Sequence, residues 1–133
     1  MTNFYSDTKD MNSVALLLCR ALKIQQEASD FGFEWNNVTG ILNKIREELE
    51  EIEREVCTQD VEKLKKEIGD LYLVSLHLAQ YLRLDPMECL FISYETFRNR
   101  WEKVQSLITV LPEGSEERLE YLEGLWSQVK QEE

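Results

Sequence analysis

Residues 45–71 have the sequence IREELEEIEREVCTQDVEKLKKEIGDL, in which two apolar stripes are separated by a short polar break. Apolar side chains recur in steps of three and four on both sides of the break, which is the period of one helix face. The stripes consist of Val38, Leu42, Ile45, Leu49, Ile52 and Val56, followed by Val61, Leu64, Ile68, Leu71, Leu78 and Leu82. This stretch predicts helices over about residues 38–56 and 61–82, joined by a turn near Cys57–Asp60.

The same helical period extends outward from this hairpin. A first helix is predicted over about residues 11–29, and an aromatic-rich break follows at Asp30–Asn37. A fourth helix begins at Asp85-Pro86 and runs to Leu107, since proline favours the first helical position. Ser115 is predicted to cap a last helix. Short connections between long helices predict an all-α fold, an antiparallel bundle of about five helices in a single domain over residues 1–133.

Composition limits the classes of partner. The net charge of −11 would repel nucleic acids and anionic membranes, so neither is an expected partner. The polar start MTNFYSDTKD does not resemble a signal peptide, and the longest apolar run, Val14–Cys19, is too short to cross a bilayer. Three widely spaced cysteines without a C-x-x-C motif indicate a reducing compartment. We therefore expect a cytoplasmic protein whose small core is completed by oligomerisation.

Two pairs of acids mark the helical hairpin. Glu48 and Glu51 lie three residues apart on the second helix, as do Glu67 and Asp70 on the third, so each pair shares a helix face. At 100° per residue, the first pair lies about 80° and 140° from the centre of its apolar stripe, and the second about 60° and 120°. The rotation has the same sense in both helices, and the pairs are symmetric about Gln59, inside the predicted turn. All four carboxylates should therefore converge on one side of the hairpin.

Carboxylates held this close repel one another unless a cation or a proton intervenes. Magnesium takes oxygen ligands and is commonly shared between protein carboxylates and substrate phosphates, so it is the natural occupant. The alternative is that the acids form a solvated helix face. The matching pair on the next helix favours the metal site.

The same residues carry a resemblance. EExxE at Glu47–Glu51 followed by ExxD at Glu67–Asp70 resembles the signature of the MazG-type all-α nucleoside triphosphate pyrophosphatases. GFEW at Gly32–Trp35 is similar to the GFDW segment of the catalytic C-terminal domain of MazG. Further similarities occur at Leu42–Glu48, Glu67–Leu71, Phe97–Trp101 and Leu122–Lys130, so the resemblance covers about residues 15–133.

The resemblance implies hydrolysis of a nucleoside triphosphate to the monophosphate and pyrophosphate, which would clear noncanonical or excess nucleotides. It implies that Glu48, Glu51, Glu67 and Asp70 bind Mg²⁺, or Mn²⁺ in its place. The catalytic residues that it implies are Glu47 and Glu48. Glu47 would act as a general base or lie behind the metal ligands. The resemblance also implies a homodimer or a dimer of dimers.

Three further residues are candidates for substrate binding, each with an alternative. Trp35 either stacks on a nucleobase or packs its loop against the second helix. Lys44 either contacts phosphate or forms an ion pair with Glu48 one turn later. Arg100 either reaches the phosphates or pairs with the acidic residues.

The sequence departs from the family pattern in the fourth helix. Tyr94 and Thr96 stand where MazG-type domains commonly carry an Asn and a Lys that help to hold the phosphates. Loss of a cation beside a triphosphate should weaken binding, because charge-assisted contacts are the strong ones. The alternatives to the enzyme are a metal-dependent nucleotide-binding module with weak or lost catalysis, and a non-catalytic acidic helical interaction domain.

Overall fold

The computed structural model describes the backbone of residues 8–133 and the side chains from Met11 onward, so the first seven residues of the polar N-terminal stretch lie outside it. Five helices and no strand occur in the described part, which confirms the all-α prediction. The helices are α1 (Thr8–Asp30), α2 (Val38–Thr58), α3 (Val61–Tyr81), α4 (Pro86–Leu107) and α5 (Ser115–Gln131). Across residues 8–133, no helix combines the length and the apolar character needed to cross a membrane.

The described part of the chain divides into two compact units, one that ends at Pro86 and one over Met87–Glu133. In the first unit α2 packs along α3, and α1 contacts α3. In the second unit the rings of Phe97 and Trp126 lie 5.2 Å apart between centroids, and Val104 and Val129 are fully buried. The single domain over residues 1–133 stays a prediction.

Local caps explain the hairpin of α2 and α3. The left-handed backbone of Gln59, with a φ of 59°, ends α2, and its N–H donates to the carbonyl of Glu55. The side chain of Asp60 then accepts a hydrogen bond from the Lys63 amide at 3.1 Å and caps α3. The turn therefore centres on Gln59, the predicted symmetry point.

The buried face of α2 differs from the predicted stripe. Leu42, Leu49 and Val56 are 37%, 46% and 57% exposed, whereas Ile41 is fully buried and Glu48 is only 3% exposed. The predicted stripe did not include Ile41, but α2 presents the side of Ile41 and Glu48 to its neighbours. Glu48 therefore lies on the covered face of α2.

The start of α5 also differs from the prediction. Gly114, not Ser115, is the N-cap, and no side chain caps the helix. The Arg118 amide donates to the Gly114 carbonyl at 2.9 Å, so Ser115 already belongs to the first turn. Glu116 and Glu117 occupy that turn, where negative charge is favourable and compensates for the missing cap.

Candidate metal centre

Three of the predicted acids converge between α2 and α3. One carboxylate oxygen from each of Glu48, Glu67 and Asp70 lies within 4.8 Å of the others, and this is the one such group among the described residues. Residues 48 and 70 lie at the same level because the hairpin turns at Gln59, and residue 67 lies about one turn nearer that turn on α3. The fourth predicted ligand, Glu51, lies beside Glu67 but outside this group.

The electrostatics of the group are unfavourable without a bound cation or proton. The neighbouring carboxyl of Glu51, then burial, then the carboxyl of Glu48 raise the pKa of Glu67 to about 7 from its ordinary value of 4.5. One oxygen on each of Glu48 and Glu67, Oε2 in both, is buried without a hydrogen-bond partner among the described residues. Buried carboxylate oxygens are costly when unsatisfied, so both atoms are available to an added ligand.

Two lysines border the group. Lys44 Nζ lies 3.0 Å from Glu48 Oε1 and 3.3 Å from Glu47 Oε1, and these contacts, that to Glu48 foremost, raise the lysine's pKa. Lys66 Nζ lies 2.6 Å from Asp70 Oδ2, which raises its pKa likewise. Glu47 lies outside the carboxylate group and its side chain is 55% exposed. Lys44 therefore forms the expected ion pair with Glu48. A contact between Lys44 and phosphate stays a prediction.

A cavity of about 360 Å³ connects the acids to the aromatic loop. Its lining includes Lys44, Glu48 and Asp70 together with Trp35 and His77. Small-molecule sites are commonly clefts of this size, with a few polar groups among apolar walls. The predicted metal ligands and the predicted stacking residue thus border one space.

Glu34 fixes the aromatic loop against α3. Its Oε1 accepts hydrogen bonds from the Trp35 amide at 2.8 Å and from His77 Nε2 at 2.7 Å, and Ser29 Oγ donates to its Oε2. Burial opposes ionisation of Glu34, but these hydrogen bonds outweigh it and hold its pKa below the ordinary value. Sequence reasoning missed Glu34, although it lies inside the GFEW segment, and it left His77 as a structural residue.

Comparison with known families agrees with this geometry. Residues 36–97, which include the whole hairpin and all four predicted ligands, match the family described as the MazG nucleotide pyrophosphohydrolase domain. The central part of the chain is therefore similar to a MazG domain. The match begins at Asn36, directly after Trp35 in the aromatic loop, and extends into α4, so the three-carboxylate group lies well inside it.

Two curated relatives extend the similarity beyond the hairpin. A protein of Thermotoga maritima named nucleoside triphosphate pyrophosphohydrolase/pyrophosphatase MazG is 32% identical over 125 residues, which is 91% of this chain and 47% of the relative. The Escherichia coli K12 protein named nucleoside triphosphate pyrophosphohydrolase is 32% identical over 119 residues, which is 87% of this chain and 45% of the relative. The chain therefore spans about half the length of the curated relatives it matches.

Arg100 already has a carboxylate partner. Its Nε and Nη2 donate to the two carboxylate oxygens of Glu133 at 2.7 and 2.9 Å, and its guanidinium carbon lies 5.9 Å from the centroid of the Trp126 ring. This partner is an acid of the second unit, and pairing of Arg100 with the acidic residues of the hairpin stays a prediction. Contact between Arg100 and phosphate stays a prediction.

Gly40 lets the Trp35 ring lie against the first turn of α2. A Cβ at position 40 would come within 2.6 Å of Trp35 Cε3, a distance that real Cβ atoms do not show. Gly40→Ala should therefore displace the half-exposed ring, while better helix propensity limits the loss of stability. We expect a change in Trp35 fluorescence and weaker nucleotide binding.

Gly124→Ala is the matched control for this substitution. Nothing lies near a Cβ at position 124, so the Trp35 signal should stay the same and only stability should rise, by about 0.5–1 kcal/mol. An unchanged Trp35 signal in Gly40→Ala would contradict the packing of the ring against α2.

Proposed function

We propose that this chain hydrolyses nucleoside triphosphates between the α- and β-phosphates in the presence of Mg²⁺, giving a nucleoside monophosphate and pyrophosphate. The observation that carries the proposal is the convergence of Glu48, Glu67 and Asp70 between α2 and α3. The printed names of the two relatives, both nucleoside triphosphate pyrophosphohydrolases, support the reaction and the substrate class.

The donor set suits a hard divalent cation. All three groups offer carboxylate oxygens, the ligands that Mg²⁺ and Mn²⁺ prefer, and no sulfur or imidazole belongs to the group. The unpartnered Oε2 atoms of Glu48 and Glu67 are the atoms that a cation would satisfy. Glu51, beside Glu67, would complete the set. When bound, the cation would offset the negative charge of the triphosphate in the ground state and in the transition state.

The chain's own residues supply the rest of the proposed site. Trp35 offers an aromatic face to the nucleobase, and Lys44 offers a cation to the phosphates from the same cavity. Arg100 is the third candidate for substrate binding. Glu47 is the proposed base, because its half-exposed carboxylate, next to Lys44, is accessible to a water molecule.

A second candidate function is nucleotide binding with weak or lost turnover. The side chains at positions 94 and 96 favour it, since neither supplies a positive charge. Tyr94 is exposed, and the Thr96 hydroxyl donates to the Ile92 carbonyl at 2.8 Å within its own helix. The two functions share the metal site and differ in product.

A product assay over canonical and modified nucleoside triphosphates separates the two candidates. The chain is incubated with Mg²⁺, with Mn²⁺ and with a chelator, and pyrophosphate is distinguished from orthophosphate. The enzyme predicts monophosphate and pyrophosphate in the samples with metal only. Nucleotide binding without product would establish the second candidate. A lack of both binding and product would refute both proposals.

Assembly and cellular role are part of the proposal. The exposed Leu42, Leu49 and Val56, one face of α2, support a homodimer or a dimer of dimers, since burial of apolar surface favours association. Light scattering after size-exclusion chromatography measures the assembly directly, and a monomer at micromolar concentration would contradict it.

We propose a cytoplasmic role in clearing noncanonical or excess nucleotides, without nucleic-acid or membrane partners.

A further inference from the structure

Gln25 of α1 has a fixed amide and an unused acceptor. Its Nε2 donates a hydrogen bond to the Leu73 carbonyl of α3 at 2.8 Å. A carbonyl oxygen only accepts, so the nitrogen must face Leu73 and the amide cannot flip without placing two oxygens together. The remaining atom, Oε1, is buried and has no hydrogen-bond partner among the described residues. Such an acceptor is costly unless a ligand satisfies it.

The position of Gln25 indicates which ligand would satisfy its Oε1 acceptor. Gln25 lines the 360 Å³ cavity together with Trp35, Glu48 and Asp70. A nucleotide whose phosphates lie at the carboxylates and whose base lies at Trp35 would therefore share this cavity with the Gln25 amide. Because the cavity is small and both side chains line it, a base against Trp35 would lie within reach of the Gln25 amide, and a hydrogen-bond donor on that base would satisfy Oε1.

We propose that Gln25 is a specificity-determining residue that selects adenine and cytosine over bases with a carbonyl oxygen in place of their exocyclic amino group. The inference rests on the proposed function, because it takes the occupant to be a nucleotide. The amino group of adenine or cytosine would donate to Gln25 Oε1. Hypoxanthine and uracil carry a carbonyl oxygen at the same place, which would face another acceptor. The fixed amide prevents Gln25 from adapting to them.

The test compares two nucleotide pairs that differ at this group, ATP with ITP and CTP with UTP. The wild-type chain should favour the amino member of each pair by at least about tenfold in kcat/KM, since an unpaired buried acceptor is strongly discriminating. Gln25→Met keeps the size of the side chain and removes the acceptor, so both ratios should fall towards one. Equal rates for both members in the wild-type chain would overturn the inference, whatever the variant does.

Gln80→Met is the matched control. Gln80 Nε2 donates to the Leu22 carbonyl at 3.0 Å, so it forms the same kind of bond between α1 and α3, but it lines a different cavity. Gln80→Met should leave both ratios unchanged. If it lowered them as Gln25→Met does, the effect would come from helix packing and the inference would fail.

A second measurement separates this inference from the proposed function. Adenosine and inosine carry no phosphate and need no metal, and their binding is followed through the NMR signal of the Trp35 indole N–H. Tighter binding of adenosine, lost in Gln25→Met, would support base selection even if no nucleotide were hydrolysed. Equal binding of both nucleosides would refute base selection even in an active enzyme.

Discussion

Glu48→Gln will lower metal-dependent kcat by roughly 10³-fold, because a bound metal ion contributes several kcal/mol of transition-state stabilisation. Glu48 is the most buried member of the carboxylate group, at 3% exposure, and one of its oxygens lacks a partner among the described residues. Glutamine has nearly the same shape and keeps an oxygen for Lys44, but it removes the negative charge that holds the cation. Steady-state kinetics with saturating Mg²⁺ measure the loss.

Folding of the variant is checked separately. Removal of one like charge beside Glu67 should leave the metal-free melting temperature equal or higher, since Glu48 contributes to the raised pKa of Glu67. In the wild-type chain Mg²⁺ should raise the melting temperature, and in Glu48→Gln this gain should largely disappear. Glu53→Gln is the control, because Glu53 is an exposed acid of the same helix and should keep full activity. A Glu48→Gln enzyme with wild-type turnover would show that the metal site has been placed wrongly.

The hairpin was predictable from sequence because its determinants are local. The period of three and four defines both helices, and Asp60 and Gln59 fix the turn through bonds to residues only three or four positions away. Once the turn is fixed, helical geometry alone brings Glu48 to the level of Asp70. The convergence of the acids therefore follows from residue numbers, without knowledge of the other helices.

The remaining features depend on contacts between distant residues. Glu34 bonds to His77, 43 positions away, and Gln25 bonds to Leu73, 48 positions away, so no periodicity within one helix indicates either pair. The buried face of α2 was misplaced for the same reason. Apolar side chains occur on more than one side of α2, and only its packing against α3 decides which of them are covered.

Metal affinity should fall steeply as the pH drops below 7. The metal-free pKa of Glu67 is about 7, and a carboxylate must lose its proton to bind a cation, so metal binding releases this proton. Below pH 7 each pH unit then weakens binding about tenfold, so affinity at pH 5 should be about a hundredfold lower than at pH 8. Calorimetric titration with Mn²⁺ across this range measures the change.

The stability of the metal-free chain should show the opposite trend. A folded-state pKa above the ordinary 4.5 means that the native state holds the Glu67 proton more tightly than the unfolded chain. The tighter hold on this proton raises the free energy of unfolding. This increase is fully present below pH 4.5 and is lost as the pH rises through about 7. Denaturant melts with a chelator at pH 5 and pH 8 measure it. Glu67→Gln should abolish the dependence, since it has no proton to release.

Glu51→Gln tests the cause of both trends. Glu51 is the largest contributor to the raised pKa of Glu67, so its neutralisation should return that pKa towards 4.5. Metal binding should then weaken at pH 8, because a proposed ligand is lost, but it should change much less between pH 8 and pH 6. Glu50→Gln, an exposed neighbour on the same helix, should keep the wild-type profile. If the Glu51 variant kept the midpoint near pH 7, repulsion between the clustered carboxylates would not be what controls metal binding at this site.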